Sequence, residues 1–282
     1  KTDQQELGLT LLKGGGVPQA LLTELFIVAK LGKIRSLADV ARKLLLPNVC
    51  TVLQDKIKKR IRWHHYYHGH AKAIRALCQD TELIPWKIAL YLHRRHPDGW
   101  SEGGYIILRN APASVVEQFL LELIQYHRVN SGFNIRAVLL PHLPFIYRHG
   151  HAIKNIQFQQ AEGDLSGIAS LQQVEKISFH YTERLSLPTD IGQLPRLQQI
   201  GFFNISSGTT DWQAVFETLK KCTTLKILYL NPGPSTLPPA FGQLQSLEVL
   251  SVMDMPIDAR QFQTLQQLTK LKTLSVTRTT EH

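Results

Sequence analysis

Long apolar runs are missing from this 282-residue chain. No stretch reaches the roughly 18 residues that a membrane-spanning helix needs, so no membrane span is expected. Cysteine is scarce: Cys50, Cys78 and Cys222 are odd in number, far apart and form no Cys-x-x-Cys pair. That argues against a disulfide framework and for a reducing compartment, so the expected location is cytoplasmic. Catalytic motifs are missing too. There is no Gly-x-Ser-x-Gly, no phosphate-cradling loop ending in Lys-Ser/Thr, and no dinucleotide fingerprint after a strand. "KGGGVPQ" has three glycines but lacks the Lys-Ser/Thr, and reads as a linker before the first helix. The chain is therefore read as non-enzymatic and without cofactors. No leader peptide is read at the start, and because the chain opens on Lys1 a longer native protein is left open.

Acidic residues are in short supply in one half only. The chain as a whole carries a net charge of +10, and 43% of its residues are hydrophobic, as in a globular protein. Residues 1–150 hold 21 Lys and Arg against 11 Asp and Glu, whereas residues 151–282 hold 11 of each. Nine of the twelve histidines also lie in the first half. Two regions with different surfaces follow from that split.

The second half repeats itself. The pattern apolar-x-x-apolar-x-apolar fits Ile153-Ile156-Phe158, Val174-Ile177-Phe179 and Leu197-Ile200-Phe202. It fits again at Leu225-Leu228-Leu230, Leu247-Leu250-Val252 and Leu271-Leu274-Val276. The first members recur after 21, 23, 28, 22 and 24 residues. Between strands the chain twice writes the same phrase, "LSLPTDIGQLPRL" (185–197) and "STLPPAFGQLQSL" (235–247). This resembles the leucine-rich repeat family, in the class of about 23 residues with Leu-Pro-x-x-Ile-Gly-x-Leu, and the resemblance covers roughly 150–278. It implies an α/β solenoid: one short strand and one return segment per repeat, stacked so that parallel strands line a concave face. Ile135-Val138-Leu140 reads as a weaker first copy. "TDWQAVFETLKKC" and "DARQFQTLQQL" read as helices on the return side. One departure stands out. Where the family places Asn or Cys after the strand, this chain has Ala161, Thr182, Ile205, Gly233, Met255 and Thr279, so irregular turns are expected.

Strand side chains alternate between faces. With the leucines inward, the outward columns include His180, Phe203, Tyr229, Asn231 and Met253. Aromatics and Met gathered on a strip of small residues are what a protein-binding surface uses. The concave face is therefore the candidate contact site for a protein partner.

The first half reads as helical. Leu21, Leu22, Leu25, Val28 and Ala29 share the face of one helix ending near Gly32. Ser36 with Asp39 suggests a capping box for a second, over Val40, Ala41, Leu44 and Leu45. Such a hairpin is weakly similar to one unit of a HEAT-type repeat. "TELIPWKIALYLHRRH" is a further helix, and Ser114 with Glu117 marks the start of another running to His127. The expected organisation is a basic α-helical domain over 1–132 and a leucine-rich repeat solenoid over 133–282. A basic patch, Lys56, Lys58, Lys59, Arg60 and Arg62, precedes "WHHYYHGH" (63–70). His64 and His68 at i, i+4 share a helical face and make half of a metal site, with no third ligand at a fitting spacing. No metal is therefore expected. A basic run interleaved with aromatics leaves nucleic acid or a ribonucleoprotein open as an alternative partner; an acidic protein fits the same patch. The leading expectation is an adaptor that binds a protein on the concave sheet and uses the basic helical half as a second contact.

Overall fold

The computed structural model describes residues 2–58, 69–95, 100–129, 132–255 and 258–277. The chain divides into two compact units, Lys1–Phe119 and Leu120–His282.

The first unit is helical. Its elements are α1 (Thr2–Gly15), α2 (Leu22–Leu31), α3 (Arg35–Leu45), α4 (Thr51–Lys58), α5 (Gly69–Cys78), α6 (Pro85–Arg95) and α7 (Trp100–Asn110). α8 (Ala113–Val129) begins in this unit and crosses the division at Phe119. α2 packs on α3 and α6 on α7. Phe26, Ala41, Leu45, Leu53, Ile74, Ile88 and Ile107 are fully buried between them. Polar groups tie the helices across long stretches of sequence. Tyr91 and Arg95 both donate to the carbonyl of Leu31, the last residue of α2, at 3.0 and 2.6 Å. Such donors satisfy carbonyls that a helix end leaves without an internal partner.

Several sequence expectations change here. α1 precedes the stretch read as a linker and runs into it: Gly14 and Gly15 form its last turn, and residues 16–18 connect it onward. It keeps Leu9 buried while Leu7 and Leu11 stay exposed, so it lacks the broad apolar stripe that makes a helix legible. The capping box at Ser36 is not formed. α3 starts at Arg35, Ile34 occupies the cap position without a side-chain bond, and Asp39 pairs instead with Arg42 at 3.4 Å. Of the face expected for α3, Ala41 and Leu45 are buried and Val40 and Leu44 half-buried; Leu37 and Ala38 complete the buried side. α8 likewise starts at Ala113, which places Ser114 inside the first turn, and the amides of Val115 and Val116 reach the Pro112 carbonyl. At α8 the Pro112 carbonyl thus takes an amide that a cap side chain would otherwise serve, whereas at α3 the Ile34 carbonyl accepts only the ordinary first helical bond, from Ala38.

The second unit holds a seven-stranded parallel sheet in sequence order: β1 (Phe133–Arg136), β2 (Asn155–Gln159), β3 (Lys176–His180), β4 (Gln199–Phe203), β5 (Ile227–Asn231), β6 (Val249–Met253) and β7 (Thr273–Thr277). The register follows the apolar pattern: Ile156↔Ile177↔Ile200↔Leu228↔Leu250↔Leu274 in one column, Phe158↔Phe179↔Phe202↔Leu230↔Val252↔Val276 in the next. Phe158, Phe179 and Phe202 stack inside the sheet, with centroids 5.1 and 5.6 Å apart and planes within 17°. Trp212 meets Phe202 edge-on at 5.6 Å and carries the row into α10 (Trp212–Leu219). Contacts of this kind add about 0.5–1.5 kcal/mol per pair beyond the area they bury.

The return segments differ in kind, as the sequence suggested. α10 and α11 (Ala259–Gln266) are capped by Asp211 and Asp258, whose carboxylates accept from Ala214 and Gln261 amides at 3.0 and 2.8 Å. The two Leu-Pro phrases form tight 3-10 turns at Thr189–Gln193 and Pro239–Gln243. Their glycines are there for space. A Cβ on Gly192 would lie 2.7 Å from the Lys221 Cβ of the next layer.

The weak first copy is displaced. Phe133 and Ile135 pair with Ile156 and Phe158, so Ile135 takes the third apolar position rather than the first, and Ala137–His142 is a 3-10 segment. The irregularity expected of the turns appears after β5, where Asn231–Pro232 is a cis peptide; the turns after β2, β3, β4 and β6 are alike. Gln160, Tyr181, Asn204 and Asp254 each adopt a left-handed backbone at φ 49° to 55°. The residues that stand where Asn or Cys was expected instead fill a buried column: Ala161, Thr182, Ile205, Gly233 and Met255. Thr279 lies outside the described residues. β7 departs from expectation as well. Leu274 and Val276 are 40% and 46% exposed, because no strand pairs with its far side among the described residues.

Candidate functional site

The open face of the sheet is built by the residues between the buried columns. Its three rows run across the strands at the 4.8 Å or so that separates neighbouring strands. The middle row is Asn134, Gln157, Ser178, Gly201, Tyr229, Ser251 and Ser275. The row toward the strand C-termini runs Arg136, Gln159, His180, Phe203 and Asn231.

His180, Phe203 and Tyr229 come together as one stack. The His180 and Phe203 rings lie 4.7 Å apart at 17°, and Phe203 and Tyr229 lie 6.4 Å apart at 25°. All three are half-buried. Gly201 makes the arrangement possible: a Cβ there would sit 2.4 Å from Cε2 of Phe203, so the ring lies down over the glycine instead of standing off the sheet. His180 Nε2 is 2.9 Å from the Ser178 hydroxyl, which fixes the ring plane. Burial holds the His180 imidazole below its ordinary pKa, which favours the neutral form. Asn231 joins the row through its pairing with Phe203. Met253 lies at the end of β6; the β5–β6 pairing stops at Leu230↔Val252, so Asn231 and Met253 are not partners in the register.

Two neighbours escaped the sequence reading. Tyr181, 58% exposed, stands beside His180 with centroids 6.3 Å apart. Arg136 joins the row through β1, whose register was misjudged. A third feature had a signal that went unread. The residue after the first apolar position of each repeat is Lys154, Glu175, Gln198, Lys226, Glu248 or Lys272. These form a ladder along the N-terminal rim of the sheet. Each amide donates to the carbonyl of the one before, at 2.7–2.9 Å. Glu175 pairs with Lys154 at 3.6 Å, and Glu248 with Lys226 and Lys272 at 3.7 and 2.6 Å.

The repeat unit has the leucine-rich-repeat fold: its strand register, its Leu-Pro turns and its one-strand-per-repeat order carry that statement. No family model and no curated protein matches the chain. Among solved structures it is similar to the leucine-rich repeat domain of the type III effector XopL, at 17% identity over 77% of this chain and 72% of that one, with a TM-score of 0.40. It is also similar to an internalin, InlF, from Listeria monocytogenes, at 13% identity over 48% of this chain and 56% of that one, with a TM-score of 0.27.

The basic patch read from the sequence belongs to the helical unit. Lys56 is turned inward: its ammonium donates to the carbonyls of Ala76 and Gln79 at 2.8 and 2.6 Å, at the C-terminal end of α5. Lys58 pairs with Asp55 at 3.6 Å and is exposed. Lys59, Arg60 and Arg62 lie outside the described residues, as do His64, His65 and His68. Among the described residues no three His, Cys, Asp or Glu side chains group as a metal site, and no helix is long and apolar enough to cross a membrane. Cys222 is buried and its thiol pushed up to about 12 by that burial; Cys50 and Cys78 are half-buried.

Proposed function

We propose that this protein is a non-enzymatic adaptor whose solenoid holds a partner protein on the open sheet face. The observation that carries the reading is the stacked row His180–Phe203–Tyr229, half-exposed on a strip of small residues. Aromatic rings held in place present large, rigid area at little cost in side-chain entropy, which is why interface centres favour them. Asn231 and Met253 extend the contact. The basic helical unit supplies a second contact surface, and the scarcity of cysteine fits a cytoplasmic setting.

The test is capture of partners from native cells by the wild type and by Phe203→Ala/Tyr229→Ala/Met253→Ala, both checked for folding by circular dichroism. Loss of the captured set in the folded variant is the expected result. Unchanged capture removes the sheet face from the model.

A further inference from the structure

The sheet half of the chain is formally balanced in charge, yet its open face is not. The seven strands contain Arg136 and Lys176 and no carboxylate at all. Most of the described acids of this half are occupied elsewhere. Glu175 and Glu248 sit in the rim ladder with their lysines. Asp211 and Asp258 cap helices. Glu162 accepts the amide of Glu183 at 2.9 Å, and Asp190 accepts those of Gly167 and Ala169 at 3.0 and 3.1 Å. Arg136 and Lys176 therefore stand on the face without an ion-pair partner among the described residues. A face with unpaired cations favours a partner of opposite charge and rejects a basic one.

Spacing sharpens the partner's chemistry. Arg136 lies in the same row as Phe203, three strands away. At the usual strand separation that is about 14 Å, the reach of about four residues of extended chain. Between them β2 offers the amide side chains of Gln157 and Gln159, which can both donate to and accept from a peptide backbone.

We propose, resting on the adaptor reading above, that the open face takes an extended acidic segment of the partner. Its carboxylates meet Arg136 and Lys176, and an aromatic side chain about four residues along lies on the His180–Phe203–Tyr229 row. A single-stranded nucleic acid would also offer anions and flat rings, but two cations give few phosphate contacts, whereas the amide-rich strip matches a peptide.

The full chain is titrated with a fluorescent random Glu/Tyr copolymer, with poly-Glu, with a Lys/Tyr copolymer and with oligo-uridine. Because the basic helical half attracts any polyanion, the readout is the difference between proteins. Arg136→Gln/Lys176→Gln should weaken Glu/Tyr copolymer binding about tenfold, and Phe203→Ala/Tyr229→Ala should weaken Glu/Tyr but leave poly-Glu unchanged. The charge-matched control Arg196→Gln/Lys270→Gln, exposed and off the face, should bind as wild type does. Equal Glu/Tyr affinity in wild type and Arg136→Gln/Lys176→Gln overturns the proposal. So does oligo-uridine binding that depends more strongly on the same residues. Should the native partner be lost in the Phe203/Tyr229/Met253 variant but kept in Arg136→Gln/Lys176→Gln, the acidic chemistry fails while the adaptor reading stands.

Discussion

Gly201 has no side chain, and Phe203 uses the space. That pair sets the geometry of the stack, so a single carbon should undo it. Gly201→Ala places a Cβ where Cε2 of Phe203 now lies, and the ring end must swing away. Replacing a strand glycine stabilises by roughly 0.5–1 kcal/mol, which offsets the lost ring contact. The expected outcome is a thermal midpoint close to wild type, a changed near-UV circular dichroism signal and weaker partner capture. Unaltered capture would show that the flat ring is not part of the contact. His180 carries a pH dependence of defined sign. Its pKa is lowered by burial, so its contribution to stability is present above the ordinary His value of about 6.5 and is lost as pH falls through the lowered one. Wild type should lose midpoint temperature between neutral and mildly acid pH more steeply than His180→Gln. His142, also lowered by burial, leaves part of the slope in the variant. Which residues face outward was legible from alternation alone. That they stack was not, because alternation gives a side and no ring orientation.

Elements show where sequence pattern succeeds and where it competes with the backbone. Strands β2 to β6 fall where the apolar triplets put them, since a shift of one residue would turn every core phenylalanine to solvent. The ends of helices were less legible. Ser36 and Ser114 look like caps, but α3 starts one residue before Ser36 with Ile34 at its cap, and the Pro112 carbonyl takes the first amides of α8. α1 was missed because two of its leucines face solvent. Lys56 illustrates the same competition. It was grouped with its basic neighbours, yet its ammonium closes the end of α5, where the helix dipole and unpaired carbonyls favour a cation. Lys56→Ala should therefore cost about 1 kcal/mol in urea unfolding, with faster hydrogen exchange along α5. A variant of wild-type stability that binds polyanions more weakly would return Lys56 to the surface patch.

On the scale of the molecule, the solenoid is a stack in which each repeat touches its neighbours, so damage should spread by distance along the sheet. Phe179 is the place to test this. It is fully buried and stacks on Phe158 in β2 and Phe202 in β4. Phe179→Ala removes the middle ring, and deleting a buried phenylalanine costs about 3–5 kcal/mol. A globular core would share that loss everywhere. In a repeat array the loss is local, because β6 and β7 lie three and four strands from β3 and pair only with their own neighbours. Native-state hydrogen exchange on the variant should show protection falling most across residues 155–203 and least across 249–277. An equal fall along all seven strands would mean that the sheet opens as one unit. In that case the open face would be presented whole or not at all, and a partner spanning from Arg136 to Tyr229 would stabilise every strand alike.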